Sequence, residues 1–232
     1  MDTITSALQE IQATLHASSG LMSANNETIL VAVSKAQTPS NMRMAFFAGQ
    51  HIFAENYLQE ALIKQQALKD LPIEWHFIGP IQSNKTQAIA QYFDWVQSVD
   101  RLKVAQRLND ARPHHLPPLQ ICIQVNISEE LSKSGVALGA LEELVHAVTM
   151  LPRLKLRGLM SIPRPSENEV ELRAQFRAMR ACFDALNLRG YDLDILSMGM
   201  SEDFMIAIEE GATMVRIGSA IFGARPLKAL DG

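Results

Sequence analysis

Short apolar runs rich in β-branched residues recur along this chain, each followed by a longer segment of helical period, and that alternation implies parallel strands joined by helices. The runs are Ile29 to Ser34, His51 to Ala54, Trp75 to Ile78, Trp95 to Val99, Leu119 to Val125, Leu156 to Met160, Asp194 to Ser197 and Thr213 to Ile217. An amphipathic helix, Thr3 to Ala17, precedes them. A crossover helix after nearly every strand favours closure into a (β/α)8 TIM barrel, an α/β fold, over an open doubly wound sheet. The 232 residues, 47% of them hydrophobic, suffice for one sizeable core, so residues 1–232 are expected to form a single domain with an extra N-terminal helix. No repeat or Gly/Ser linker interrupts the pattern, and the proline-rich stretch Arg112 to Pro118 is short enough for one loop.

With 21 basic and 25 acidic residues the net charge is -4, which provides no broad cationic field for a nucleic acid and points to a small-molecule partner. The start, Met1-Asp2-Thr3-Ile4-Thr5, lacks an export signal, and no apolar stretch approaches the roughly 20 residues that span a bilayer. A soluble, cytoplasmic monomer without membrane contact is expected. Cys122 and Cys182 lack the spacing of a metal site and read as small core residues. In the helix after the sixth strand, Leu172, Phe176, Met179, Phe183 and Leu186 form the apolar stripe, while Arg173, Arg177 and Arg180 read as a solvated face.

In such a barrel, functional side chains gather where strands end. Lys35 follows the first strand directly, where partial burial favours the neutral amine that attacks aldehydes; the alternative is a lysine reaching out to water. The last strand runs through Arg216 into Gly218 and Ser219, a turn whose backbone N–H groups can hold a phosphate, or else an ordinary turn capped by Ser219. Ser201, in Ser197-Met198-Gly199-Met200-Ser201-Glu202-Asp203, faces a phosphate or caps a helix, and the charges of Glu202 and Asp203 must then point away from that phosphate. Arg216 meets a pyridine nitrogen inside the barrel, or a helix carboxylate outside it. Glu55-Asn56-Tyr57 and His76 add polar groups near strand ends, although a histidine between Trp75 and Phe77 also suits a satisfied core position.

Several long motifs in order resemble the family of pyridoxal phosphate homeostasis proteins, short relatives of the alanine racemase barrel. They are Val31-Ala32-Val33-Ser34-Lys35, the stretch Phe53 to Glu60, Trp75-His76-Phe77-Ile78-Gly79 with Gln82 and Asn84-Lys85, Gly158-Leu159-Met160, Ser197 to Ser201, and Val215-Arg216-Ile217-Gly218 through Phe222-Gly223. The resemblance implies that Lys35 forms a Schiff base with pyridoxal 5'-phosphate (PLP), that Ser201, Gly218 and Ser219 hold the phosphate, and that Arg216 approaches the pyridine nitrogen. Asn56, His76 and Met200 complete the expected cofactor-binding set, with no catalytic and no metal-ligating residue. Ala54 stands where the family usually has glycine and Ser219 where threonine is common; both keep small size or a hydroxyl.

PLP enzymes draw electrons into a ring whose nitrogen a carboxylate keeps protonated. Arg216, already protonated, cannot do that, and racemases take a second acid/base from an additional β-domain for which this chain has no spare residues. The expected function is therefore to buffer or deliver PLP, with PLP-dependent apoenzymes as recipients and without efficient catalysis. The rivals are a weak PLP-dependent amino-acid racemase or lyase using the same lysine, and a phosphosugar enzyme with Lys35 on a sugar carbonyl.

Overall fold

The computed structural model describes residues 3–19, 28–128 and 134–223; Met1, Asp2 and the last nine residues of the expected domain lie outside them. Eight parallel strands close in sequence order: β1 (Ile29–Val33), β2 (Ile52–Glu55), β3 (Glu74–Phe77), β4 (Trp95–Val99), β5 (Leu119–Val125), β6 (Leu154–Ser161), β7 (Ile195–Ser197) and β8 (Met214–Ile217). The ring is sealed by β1 against β8, with Val31 beside Arg216 and Ala32 beside Ile217. Helix α1 (Thr3–Ser19) comes first. After successive strands come α2 (Pro39–Phe47), α3 (Leu58–Ala67), α4 (Thr86–Tyr92), α5 (Leu102–Ala111), α6 (Leu141–Thr149), α7 (Glu169–Leu188), α8 (Phe204–Glu209) and α9 (Ser219–Phe222). All the expected strands are present, the largest shift being the start of β6 at Leu154 rather than Leu156.

Alternation along the strands sorts the core into two parts. Ala32, Phe53, Phe77, Ile121, Leu159, Leu196 and Val215 pack outward in one large cluster with the helices. Val31, Val33, Ala54, Trp95, Cys122, Met160, Ile195 and Met214 form a separate inner cluster that fills the barrel. Burial pushes the Cys122 thiol up to about 12, which leaves it the inert core residue expected.

Local chemistry sets where the helices start. Pro39 opens α2, and Thr38 Oγ1 accepts from the Asn41 N–H; Asn168 caps α7 by accepting from Val170. The five apolar residues of the α7 stripe are all buried. Its arginines do more than face water: Arg173 pairs with Glu169, Glu209 and Glu210, and Arg177 with Glu210, tying α7 to α8. Among the described residues no helix is long and apolar enough to cross a membrane.

Candidate functional site

A cavity of about 840 Å3 opens where the strands end. The turns after six of the strands bring something to its wall: Lys35 and Gln37 after β1, Asn56 after β2, Gly79 and Pro80 after β3, Ile162, Pro163 and Glu167 among others after β6, Met200 and Ser201 after β7, Gly218 and Ser219 after β8. Val33, Met160 and Arg216 enter it from the strands themselves. Seven of the eight expected site residues, Lys35, Asn56, Met200, Ser201, Arg216, Gly218 and Ser219, thus meet in one place. His76 does not line it.

The backbone on both sides of Lys35 is clamped. Lys64 Nζ donates to Ser34 O at 2.6 Å, to Glu55 Oε1 at 2.7 Å and to Glu60 Oε1 at 2.6 Å. Glu60 Oε1 also accepts the Ala36 N–H at 2.6 Å, and Ser34 Oγ donates to Glu55 Oε1 at 2.6 Å. Ala36 sits in the left-handed region at φ 61°, a conformation that costs a non-glycine residue roughly 1 kcal/mol and is held here by the clamp. Burial pushes the Glu55 carboxyl up, against the pull of Lys64 and Ser34. Lys64, Glu55 and Glu60 were not among the expected site residues. The available signal is the Glu60–Lys64 spacing of four beside Leu58 and Ala61 on the buried side of α3.

The β7 and β8 ends are tied together over the cavity. Ser201 Oγ accepts the N–H groups of Gly218 and Ala220, both at 3.3 Å. It does not cap the helix that follows it, because α8 begins only at Phe204. Ser219 likewise makes no cap, since Gly218 occupies that position in α9. Gly199, at φ 95°, offers its carbonyl to the Arg216 N–H at 3.0 Å, and a Cβ there would fall 2.6 Å from the Ala207 Cβ. Glu202 and Asp203 lie on the wall, but Asp203 turns back so that Oδ1 accepts the Met200 N–H at 2.6 Å.

Arg216 faces inward, not toward a helix carboxylate. Only 3% exposed, it donates from Nη1 to Ser197 Oγ at 2.7 Å and from Nη2 to Ser161 O at 2.8 Å. Burial lowers its pKa to about 10, so it stays charged at neutral pH. Of four side-chain polar atoms buried without a partner among the described residues, two are Asn56 Oδ1 on the wall and Ser161 Oγ next to Arg216.

His76 is deeper in the barrel, fully buried and stacked on Trp95 at 5.1 Å between centroids. Its ring nitrogens meet Glu74 Oε1 and Gln97 Nε2, each at 2.8 Å. It occupies the satisfied core position, and direct contact with a ligand in the cavity is not what that position offers. Burial holds His76 below its ordinary 6.5 despite the Glu74 carboxylate. The unfolded chain takes up this proton near 6.5 and the folded chain only at lower pH, so stability is full above 6.5 and falls as pH drops through that value. Urea midpoints from about pH 7.5 to 5.5 are expected to fall more for the wild type than for His76→Gln; equal slopes would contradict this assignment.

The family model for the alanine racemase N-terminal domain matches residues 7–226. The pyridoxal phosphate homeostasis protein of Pseudomonas aeruginosa is 52% identical over 226 residues, 97% of each chain. This chain belongs to the pyridoxal phosphate homeostasis protein family. Among solved structures, PipY of Synechococcus elongatus, determined without PLP and with PLP bound, is 34% identical, with TM-scores of 0.86 and 0.85 and coverage of 95% of this chain and 100% of that one. Alanine racemase of Corynebacterium glutamicum, 19% identical with a TM-score of 0.70 over 99% of this chain and 62% of its own, shares the fold. The barrel of this chain carries Lys35, Ser201, Arg216 and Gly218 at one mouth.

Proposed function

We propose that this chain, residues 1–232 acting as one unit, binds PLP reversibly through Lys35 and buffers or delivers it to PLP-dependent apoenzymes in the cytoplasm, as a monomer and without efficient turnover of its own. The observation that carries the reading is the convergence of Lys35, Arg216 and the Ser201–Gly218 turn on one cavity. The PLP bound to PipY and the name of the Pseudomonas relative support it.

The residues fit the cofactor. When bound, PLP supplies an aldehyde that condenses with a primary amine, on a ring that withdraws electrons. Lys35 supplies that amine from a backbone the Lys64 clamp holds still. Ser201 and Ser219 offer hydroxyls to the phosphate beside the turn at Gly218, Met200 flanks them, and Asn56 brings an amide oxygen without a partner among the described residues. Arg216, on the wall and able only to donate, would hold a ring nitrogen as a hydrogen-bond donor and would not supply the carboxylate that keeps such a nitrogen protonated. The electron sink is then weak, which suits a carrier.

Lys35→Ala is expected to remove the visible absorbance that the wild type gains on mixing with PLP; undiminished absorbance in the variant would refute the assignment. The second reading, a weak racemase or lyase, is favoured by Asp203, whose carboxyl burial pushes above its ordinary value, on the wall with Glu167 and Glu202. Rapid turnover of any amino acid by the PLP-loaded protein would establish it.

A further inference from the structure

A chain of hydrogen bonds runs from the cavity to the opposite rim of the barrel. Arg216 Nη1 donates to Ser197 Oγ at 2.7 Å, and Ser197 Oγ donates in turn to Gln97 Oε1 at 2.7 Å. Gln97 Nε2 reaches His76 Nδ1 at 2.8 Å and Met214 Sδ at 3.3 Å, and His76 Nε2 reaches Glu74 Oε1 at 2.8 Å. Every member from Arg216 to His76 is buried, whereas the Glu74 side chain is 43% exposed.

The two ends dictate the direction. A guanidinium can only donate and an ionised carboxylate can only accept, so Ser197 must donate onward, the Gln97 amide must turn its oxygen to Ser197, and its NH2 must face His76. His76 is then confined to the tautomer with its proton on Nε2. No link in the chain lacks a donor or an acceptor. In the low-dielectric barrel interior, aligned bonds polarise one another, which lets the Glu74 carboxylate act on a guanidinium it does not touch.

We propose that Ser197, Gln97, His76 and Glu74 are positioning residues that fix the orientation of Arg216 from the far side of the barrel, leaving its remaining N–H groups directed at the ligand. This rests on the PLP reading above, in which Arg216 meets the ring nitrogen. A purely structural chain would stabilise the barrel without affecting the spectrum or affinity of a ligand at the other end.

The test is PLP titration of the wild type, Gln97→Leu, Glu74→Ala and Glu74→Gln, followed by visible absorbance, with circular dichroism to confirm folding. Gln97→Leu is expected to raise the PLP dissociation constant about fivefold and to move the absorbance maximum. Glu74→Ala, on the opposite rim and partly exposed, is expected to weaken binding about threefold, and Glu74→Gln, which keeps an acceptor oxygen, to recover most of that loss. A wild type that binds PLP while Gln97→Leu and Glu74→Ala match it in affinity and spectrum overturns the proposal. A wild type that acquires no visible band fails the PLP reading instead. The chain itself is read without PLP from the imidazole 15N shifts of His76: a neutral ring protonated on Nε2 supports it, and a proton on Nδ1 at neutral pH overturns it.

Discussion

Lys64→Ala is expected to lose about 3–5 kcal/mol of folding stability and to weaken PLP binding at least about tenfold. Lys64 is 4% exposed, and all three of its protons are engaged, by Ser34 O, Glu55 Oε1 and Glu60 Oε1. Removing the ammonium leaves the fully buried Glu55 carboxylate without its counterion, beside Glu60 and with Oε2 already unpartnered among the described residues. Because burial already raises the Glu55 pKa, protonation relieves the variant as pH falls, so the deficit is expected to be larger at pH 8 than at pH 5. The effect on binding has a separate cause: Ser34 and Ala36 lose the anchor that fixes the backbone of Lys35, and Ala36 can relax from φ 61°. Urea unfolding together with PLP titration checks both parts. A stability loss under about 1 kcal/mol, or unchanged affinity, would show that the clamp does not set the position of Lys35.

Gly158→Ala is expected to cost about 3 kcal/mol or more, enough to lower the melting temperature by about 6 °C or more in a domain of this size, or to prevent folding. Gly158 pairs with Ile195 across β6 and β7, and a Cβ at this position would lie 1.7 Å from the Ile195 carbonyl oxygen and 2.6 Å from its carbon. Both atoms are backbone, so no rotamer change relieves the clash. Strand β7 is only three residues long and ends in Ser197, the hydroxyl that accepts from Arg216, so a displaced β7 also disturbs the cavity. Gly139→Ala is the control: a Cβ there meets nothing within 4 Å, and a change within about 0.5 kcal/mol is expected. Equal melting temperatures for the two variants would contradict the packing argument.

Strand order and the gathering of Lys35, Asn56, Met200, Ser201, Arg216, Gly218 and Ser219 were legible in the sequence for one reason. Apolar runs each followed by a helical segment imply parallel strands, and parallel strands place the residues that follow them at the same mouth. Direction inward was legible for His76 as well, but depth was not, because it depends on the stagger between neighbouring strands. His76 therefore ends among Trp95, Gln97 and Glu74 rather than at the cavity. Gln97 and Ser197 are polar residues in otherwise apolar runs at inward positions, a pattern that marks an interior hydrogen bond but does not name its partner. Lys64 was the least legible, since a lysine on a helix ordinarily reads as solvated, and only the arrival of Glu55 from β2 makes it a buried counterion.

Capture of the cofactor by the Lys35 amine is the step on which the proposed function turns. It is tested most directly by reducing the PLP-loaded wild type with borohydride and mapping the modified peptide. One modified residue, Lys35, is expected; modification of another lysine with Lys35 untouched would contradict this assignment.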